Sequence, residues 1–431
     1  MPSQAPVAEH RSLLGVPGFR LLWGGDFAAR LGYQTTQFLF PLVAVVRLHS
    51  TGFQTGLISA AQFIPVVIFS LTAGVVAERT RTKGLILVSS VIRGVALGVL
   101  GLVCGMLGPS IWLLAVAALV VGSATVFYDT GFQSGIPRLL RPSELARGNG
   151  LLQASTSATQ MAGPTVAGVL VQAAGPPLAI GITAAAFLGA VVAFVPLKAA
   201  DQQGIAATRT GSGAGRGGQE LQKRSVLTGL RFTWTCRPVR DLCVQAGMFN
   251  LHEQAFLTAF LLFGVRSAHL KAAEVGALIG VASVGALIGS LASGRLSPFL
   301  HAGATLTAGL PTASAAFLLG PLLSRTLPVQ VAFGAAFLIN GLALGAYNVY
   351  AMSLRQAIPP PESLGSVIAS YRMVSWGLIP VGALVGGALA DTLGPHNALL
   401  TIAASMTLVS LLLLVSPLKR IRRVEEAGYA L

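Results

Sequence analysis

Twelve runs of about 20 apolar residues, the length that carries a helix across a bilayer's hydrocarbon core, follow one another along this 431-residue chain. Inside a bilayer each backbone N–H and C=O must find its partner within the protein, which a helix achieves within one segment. The predicted spans are roughly 19–46, 54–77, 84–106, 110–134, 146–172 and 178–196, then 240–264, 274–296, 303–323, 328–354, 363–390 and 396–416. An all-α membrane protein of twelve transmembrane helices is expected. Composition agrees: 53% of residues are hydrophobic and 10% charged, against about 25% charged in soluble proteins, and mean hydropathy is +0.73.

The spans fall into two sets of six. Tyr128, Pro142, Leu145, Gly168, Leu170, Gly175 and Pro176 recur 219 residues later as Tyr347, Pro361, Leu364, Gly387, Leu389, Gly394 and Pro395. Gly56, Ser70 and Gly74 recur at 220 as Gly276, Ser290 and Gly294. A constant register across five helices marks an internal repeat, so two pseudo-symmetric six-helix halves around a midplane cavity are expected. The division is an N-terminal segment 1–18, a first bundle 19–197, a connector 198–239, a second bundle 240–416 and a basic tail 417–431. The connector carries GSGAGRGG at 211–218, a flexible composition, and eight Lys/Arg lie between Lys198 and Arg240.

Net charge is +15. Segments on the side of both termini hold 22 Lys/Arg and the opposite side holds four, Arg47, Arg266, Lys271 and Arg325. The positive-inside rule then places both termini in the cytoplasm, and topology accounts for the charge without a nucleic-acid partner. Cys104, Cys236 and Cys243 have neither zinc-like nor secreted spacing and read as small apolar fillers. No metal site and no cofactor are expected. The first fifteen residues lack the pattern of a cleavable signal, so the first span is expected to direct insertion.

The run Gly150–Gly168, GLLQASTSATQMAGPTVAG, carries Gly150, Gly163, Pro164 and Gly168 within an apolar span. A soluble helix would lose roughly 1 kcal/mol for each interior Gly and about 3 kcal/mol for the Pro. In a bilayer, small residues let neighbouring backbones approach, and packed neighbours re-satisfy the freed carbonyl. A kinked, closely packed helix at a helix–helix seam is predicted. Its spacing, G-x8-T-x3-G-P-x2-A-G, resembles the antiporter signature of the major facilitator superfamily, G-x8-G-x3-G-P-x2-G-G, with Thr159 and Ala167 replacing two glycines. After the second span, Gly74-Val-Val-Ala-Glu78-Arg79-Thr80-Arg81-Thr82-Lys83 resembles that superfamily's cytoplasmic loop signature, G-x3-D-R-x-G-R-K. Gly74, Arg79 and Lys83 match, Glu78 stands for Asp, and Arg81 replaces Gly. The resemblance implies a latch in which Glu78 faces the start of the eleventh span at Ser363–Ser366 and Arg79 meets Asp129. Its physical content is a carboxylate at a positive helix end plus an ion pair.

Ionisable groups inside a membrane are expensive and usually functional. Asp26, Arg30, Gln34 and Gln37 on the first span are spaced four, four and three, forming one polar stripe. The seventh span carries Asn250, Glu253 and Gln254, which the 220 offset aligns with Arg30, Tyr33 and Gln34. Tyr128 and Asp129 on the fourth span align with Tyr347 and Asn348 on the tenth. The resemblance implies that these four spans line the central cavity. Glu253 lies 13 residues past Arg240, about 20 Å along a helix. Desolvation at that depth disfavours a charged carboxyl, so Glu253 is the leading proton carrier. Asp26 is the second candidate; an i,i+4 pair with Arg30 suits it to a substrate or gate role. Phe249, Phe256 and Phe260 are candidate cavity walls for a bulky amphipathic ligand. Arg93 and Arg372 are expected to neutralise acids or snorkel; Arg372 could alternatively hold an anionic substrate.

FRLLWGGDFAARLG, YDTGFQSGIPRLL and the Gly-Pro span together resemble the macrolide-efflux-like branch of the drug:proton antiporters, which also contains exporters of enterobactin-type siderophores. The resemblance implies the major facilitator fold and export of bulky hydrophobic compounds in exchange for protons. A multi-pass protein with a small molecule, the proton and the bilayer as its partners, working as a monomer, is expected, and the Ala/Gly/Arg-heavy, Lys-poor composition points to a bacterial plasma membrane. A siderophore exporter of the same fold is the alternative, and a non-transporting receptor the third reading. No G-x4-G-K-[ST] loop, metal-spaced His cluster or G-x-S-x-G elbow points to an enzyme.

Overall fold

The structure, a computed structural model, describes residues 17–139, 145–196, 229–296, 301–360 and 364–420. Most of the predicted connector, most of the N-terminal segment and most of the basic tail lie outside the described residues. Among the described residues there is no β-strand. The first half comprises α1 (Pro17–Leu48), α2 (Gly52–Arg79), α3 (Thr82–Leu107), α4 (Ile111–Leu139) and α5 (Leu145–Phe194). The second comprises α6 (Arg237–Leu262), α7 (Ala272–Leu296), α8 (Ala302–Leu323), α9 (Val329–Ala357), α10 (Leu364–Gly377), α11 (Ile379–Leu393) and α12 (Pro395–Leu411). Nine stretches among the described residues are long and apolar enough to cross a membrane, the longest being the 45 residues Gly150–Phe194. α1 and α6, 32 and 26 residues long, are the helices that carry the polar stripes.

The fifth and sixth predicted spans form the single element α5, which doubles back at Gly175. That glycine has φ 76°, a conformation open to Gly and strained for other residues. Pro176 and Pro177 then start the second arm, where a missing N–H is harmless. Ser155 in the first arm bonds Trp23, and Phe194 at the end of the second lies against Gly25. The two arms are therefore antiparallel. Gly394, φ 78°, makes the same turn before Pro395. The antiporter-like segment stays helical through Gly163 and Pro164, and the non-helical residue of α5 is Gly175, beyond that segment and between the fifth and sixth predicted spans. The eleventh predicted span, conversely, is interrupted at Leu378 between α10 and α11. Pro380 cannot donate to the carbonyl of Trp376. α6 begins at Arg237, ahead of the predicted 240, because Pro238 suits a first helical turn.

The repeat is written into the backbone. His49 and His269, 220 apart, are the non-glycine residues with positive φ among the described residues, at 48° and 52°. Ser50 N donates to Ala44 O at 3.1 Å, and Leu270 N to Gly264 O at 2.8 Å, the same bond in each half. Two equivalent seams join the halves: α2 with α11, and α7 with the first arm of α5. A β-carbon on Gly56 would collide with Ala383 O, and one on Gly276 with Pro164 O. Gly387 abuts Gly52 just as Gly168 abuts Ala272. Small residues at these points are what lets the backbones meet. All four contacts lie towards the face opposite the termini, called here the far face.

Candidate functional site

A buried charge cluster occupies the first half. Asp26 is fully buried on α1, where the four-residue spacing brings Arg30 beside it; Arg30 Nε donates to Asp26 Oδ2 at 2.7 Å. The Tyr128 hydroxyl, from α4, donates to Asp26 Oδ1 at 3.0 Å. The Tyr128 ring stacks on Phe132 and also receives the Arg93 guanidinium, from α3, at 4.1 Å. Phe187 covers the other side of Arg93 at 4.5 Å. Arg93 donates to Ser89 O at 3.3 Å and Ser90 Oγ at 3.2 Å, and makes no ion pair among the described residues. One carboxylate thus sits near two guanidiniums, one paired with it and one sandwiched between rings. Cation–π contact is strongest when desolvated, which is how the fold tolerates a cation that is 1% exposed. The sequence marks Arg93 as an intramembrane cation; its two aromatic partners, 35 and 94 residues away, carry no local signal.

Asp129, beside Tyr128 on α4, looks across the halves. Its Oδ2 lies 3.7 Å from Arg372 Nη2 of α10, and that guanidinium also stacks on Trp376 at 4.3 Å. On α6, Asn250 Nδ2 donates to Ser375 O at 2.9 Å. Leu251 and Ala255 pack under Gly382 and Gly386 of α11. Phe249 and His252 instead face Leu310, Ser314 and Met406. At 100° per residue, Glu253 lies about 40° around the helix from Phe249 and about 60° from Asn250, between the packed Phe249 side and the Asn250 side. It is half-buried and has no hydrogen bond or ion pair among the described residues. Tyr33, Gln34 and Gln37 on α1 are also half-buried. Tyr347, the counterpart of Tyr128, is buried with its hydroxyl unpartnered among the described residues, while Asn348 is exposed. No group of three His, Cys, Asp or Glu among the described residues could hold a metal.

The sequence model of the Major Facilitator Superfamily matches residues 22–383. The chain belongs to the major facilitator superfamily. Within it, the chain is 24% identical over 430 residues to the multidrug efflux pump Tap of Mycobacterium bovis, covering 94% of each. It is 25% identical over 389 residues to the MFS-type transporter y4rN of Sinorhizobium fredii, covering 88% of this chain and 90% of that one. Among solved structures, a bacterial homologue of the iron transporter ferroportin aligns with a TM-score of 0.72 at 17% identity, over 94% of this chain and 99% of that one. At such identity the likeness concerns the fold. As a superfamily transporter, the chain is a multi-pass membrane protein that acts on small molecules.

The superfamily signatures can be placed on this frame. In the antiporter-like segment, a β-carbon on Gly163 would fall 2.5 Å from Gln34 Cβ, and one on Gly168 would strike Ala272 O. Thr159 is fully buried. Gly150, by contrast, faces open space. In the loop signature, Gly74, Glu78 and Arg79 close α2, and the side chains of Glu78 and Arg79 lie outside the described residues. Arg81 sits at φ −69°, so this turn has no need of the glycine it replaces. Lys83 Nζ donates to Val195 O at 2.7 Å. Three aromatic assignments are corrected. Phe256 is fully buried, stacked on Phe317 at 4.2 Å and edge-on to Phe337, and Phe249 is 5% exposed. Both belong to the packed interior of the second half rather than to a cavity wall. Phe260, against Phe333 and Phe337, follows them.

Proposed function

We propose that this transporter exports bulky amphipathic compounds in exchange for protons, from a bacterial plasma membrane with both termini in the cytoplasm. The export reading rests on one observation, the nearly full-length similarity to the multidrug efflux pump Tap. The 22-to-4 distribution of Lys/Arg supports the orientation. Alternating access follows from two repeats rocking about a central site. Glu253, without a partner among the described residues and at mid-span depth, exchanges the proton. Asp26 holds Arg30 in place, and Arg30 with Tyr33, Gln34, Gln37, Asn250 and Gln254 supplies the polar anchors for substrate. Asp129 exchanges partners, from Arg372 to Arg79, when the cytoplasmic face closes and the Glu78–Arg79–Lys83 loop engages. The monomer suffices for this cycle.

The test uses inside-out vesicles with an imposed proton gradient and an internal pH-sensitive dye. Macrolides, tetracyclines and a catecholate siderophore are added in turn to wild type and Glu253→Gln. Gradient collapse with a drug in wild type and not in the variant supports drug antiport through Glu253. Collapse in both moves the proton path to Asp26 or Asp129, and collapse with the siderophore alone favours siderophore export. A gradient that no compound disturbs, although labelled compound binds, overturns antiport.

A further inference from the structure

The far ends of the two seams carry a feature that the superfamily signatures do not cover. On α11, the seam residues Ala383 and Gly387 are followed one turn later by Asp391. Its Oδ1 accepts from Gly52 N at 2.6 Å and its Oδ2 from Phe53 N at 2.8 Å. These are first-turn donors of α2, in the other half. On α5, Pro164 and Gly168 are followed one turn later by Gln172, whose Oε1 accepts from Ala273 N at 3.3 Å, a first-turn donor of α7. The register is that of the repeat: 391 follows 172 by 219, and 273 follows 53 by 220. Each seam therefore ends in a side chain from one half capping a helix of the other. One cap is a carboxylate with two short bonds, and the other a neutral amide with one long bond. Free N–H groups at a helix N-terminus favour negative charge, so the two caps are unequal in strength. A third bond, from Arg266 to Ser50 O, ties the same face.

We propose that Asp391 and Gln172 are paired far-face clasps, that they hold the closed state, and that Asp391 is the stronger, so opening starts at the α5–α7 seam. This rests on rocking of the halves and on neither the substrate nor the proton assignment. Rocking that opens the far face must separate Asp391 from α2 and Gln172 from α7. The free energy of these bonds then enters directly into the ratio of open to closed molecules.

The experiment is double electron–electron resonance on the full-length transporter in lipid nanodiscs, without substrate or proton gradient. Spin labels are attached at Ser110→Cys, in the α3–α4 turn, and Thr326→Cys, in the α8–α9 turn. The half-exposed Cys236 is replaced by Ser, while Cys104 and Cys243 are buried. Asp391→Ala and the near-isosteric Asp391→Asn are expected to raise the open-to-closed ratio about two- to fivefold, the range for one charge at an exposed helix N-terminus. Gln172→Ala should raise it less. A distance distribution unchanged in both Asp391 variants overturns the proposal, as does a larger effect from Gln172→Ala than from Asp391→Ala. Failure of drug antiport in vesicles would leave these distances untouched, so the two readings fail separately.

Discussion

Asp129 on α4 and Arg372 on α10 face each other across the boundary between the halves, Oδ2 to Nη2 at 3.7 Å. Both are partly exposed, so the pair bridges the halves where solvent or a ligand can reach it. A contact of this kind is made and broken as the halves move. Asp129→Arg or Arg372→Asp alone places like charges together and should lower drug efflux roughly tenfold, within the range for contacting charges. The double exchange should recover a substantial part. Efflux rates from cells loaded with a fluorescent substrate measure all three; singles and double equally impaired would show no coupling.

Removing the carboxylate of the Asp26 cluster should be costly in stability. Asp26→Ala leaves the partly buried Arg30 guanidinium without its carboxylate partner, at a cost of about 1–3 kcal/mol. Asp26→Asn retains an acceptor for Tyr128 and should be milder. Thermal unfolding of the detergent-solubilised protein should rank wild type above Asp26→Asn and Asp26→Ala lowest. Equal midpoints for Ala and Asn would mean that the Tyr128 bond contributes nothing.

The antiporter-like segment offers a graded glycine series. Gly150→Ala meets open space and should express and transport as wild type. Gly163→Ala must push Gln34 aside, and Gly168→Ala must part α5 from α7 at the Ala272 carbonyl. Gly168→Ala should therefore change far-face opening, and Gly163→Ala should change substrate affinity. Normal efflux in Gly168→Ala would show that the seam relaxes easily.

Phe256→Ala should destabilise the second half by about 3–5 kcal/mol, the usual cost of emptying a buried aromatic site. The relative affinities for different drugs should stay constant, because Phe256 contacts Phe317 and Phe337 rather than a cavity. A changed ranking of substrates in a binding assay would return it to the wall.

The span positions, the repeat and the small-residue seams were legible in sequence because each depends on local length, hydropathy or register. The Asp26–Arg30 pair was legible for the same reason, being four residues apart on one helix. The orientation of Phe256 was not. A membrane helix is apolar on both its lipid and protein faces, so periodicity cannot tell which side of α6 meets α8 and α9. The sandwich around Arg93 joins α3, α4 and α5, and the Asp129–Arg372 pair joins opposite halves; no spacing encodes either. Asp391 and Gln172 lay within reach, since extending the repeat one turn past Gly387 and Gly168 arrives at both. An acid aligned with an amide simply does not stand out as a match.

The turn at Gly175 bears on how the chain is made. Between the two arms of α5 there is only Gly175 before the prolines, with no polar loop to be drawn across the bilayer. A translocon receives the 45 residues from Gly150 to Phe194 as one greasy length, and the second arm completes the hairpin only by reversing against the first. So short a turn predicts that the two arms enter the lipid as a single insertion unit, the second arm's fate resting on a glycine that it does not contain.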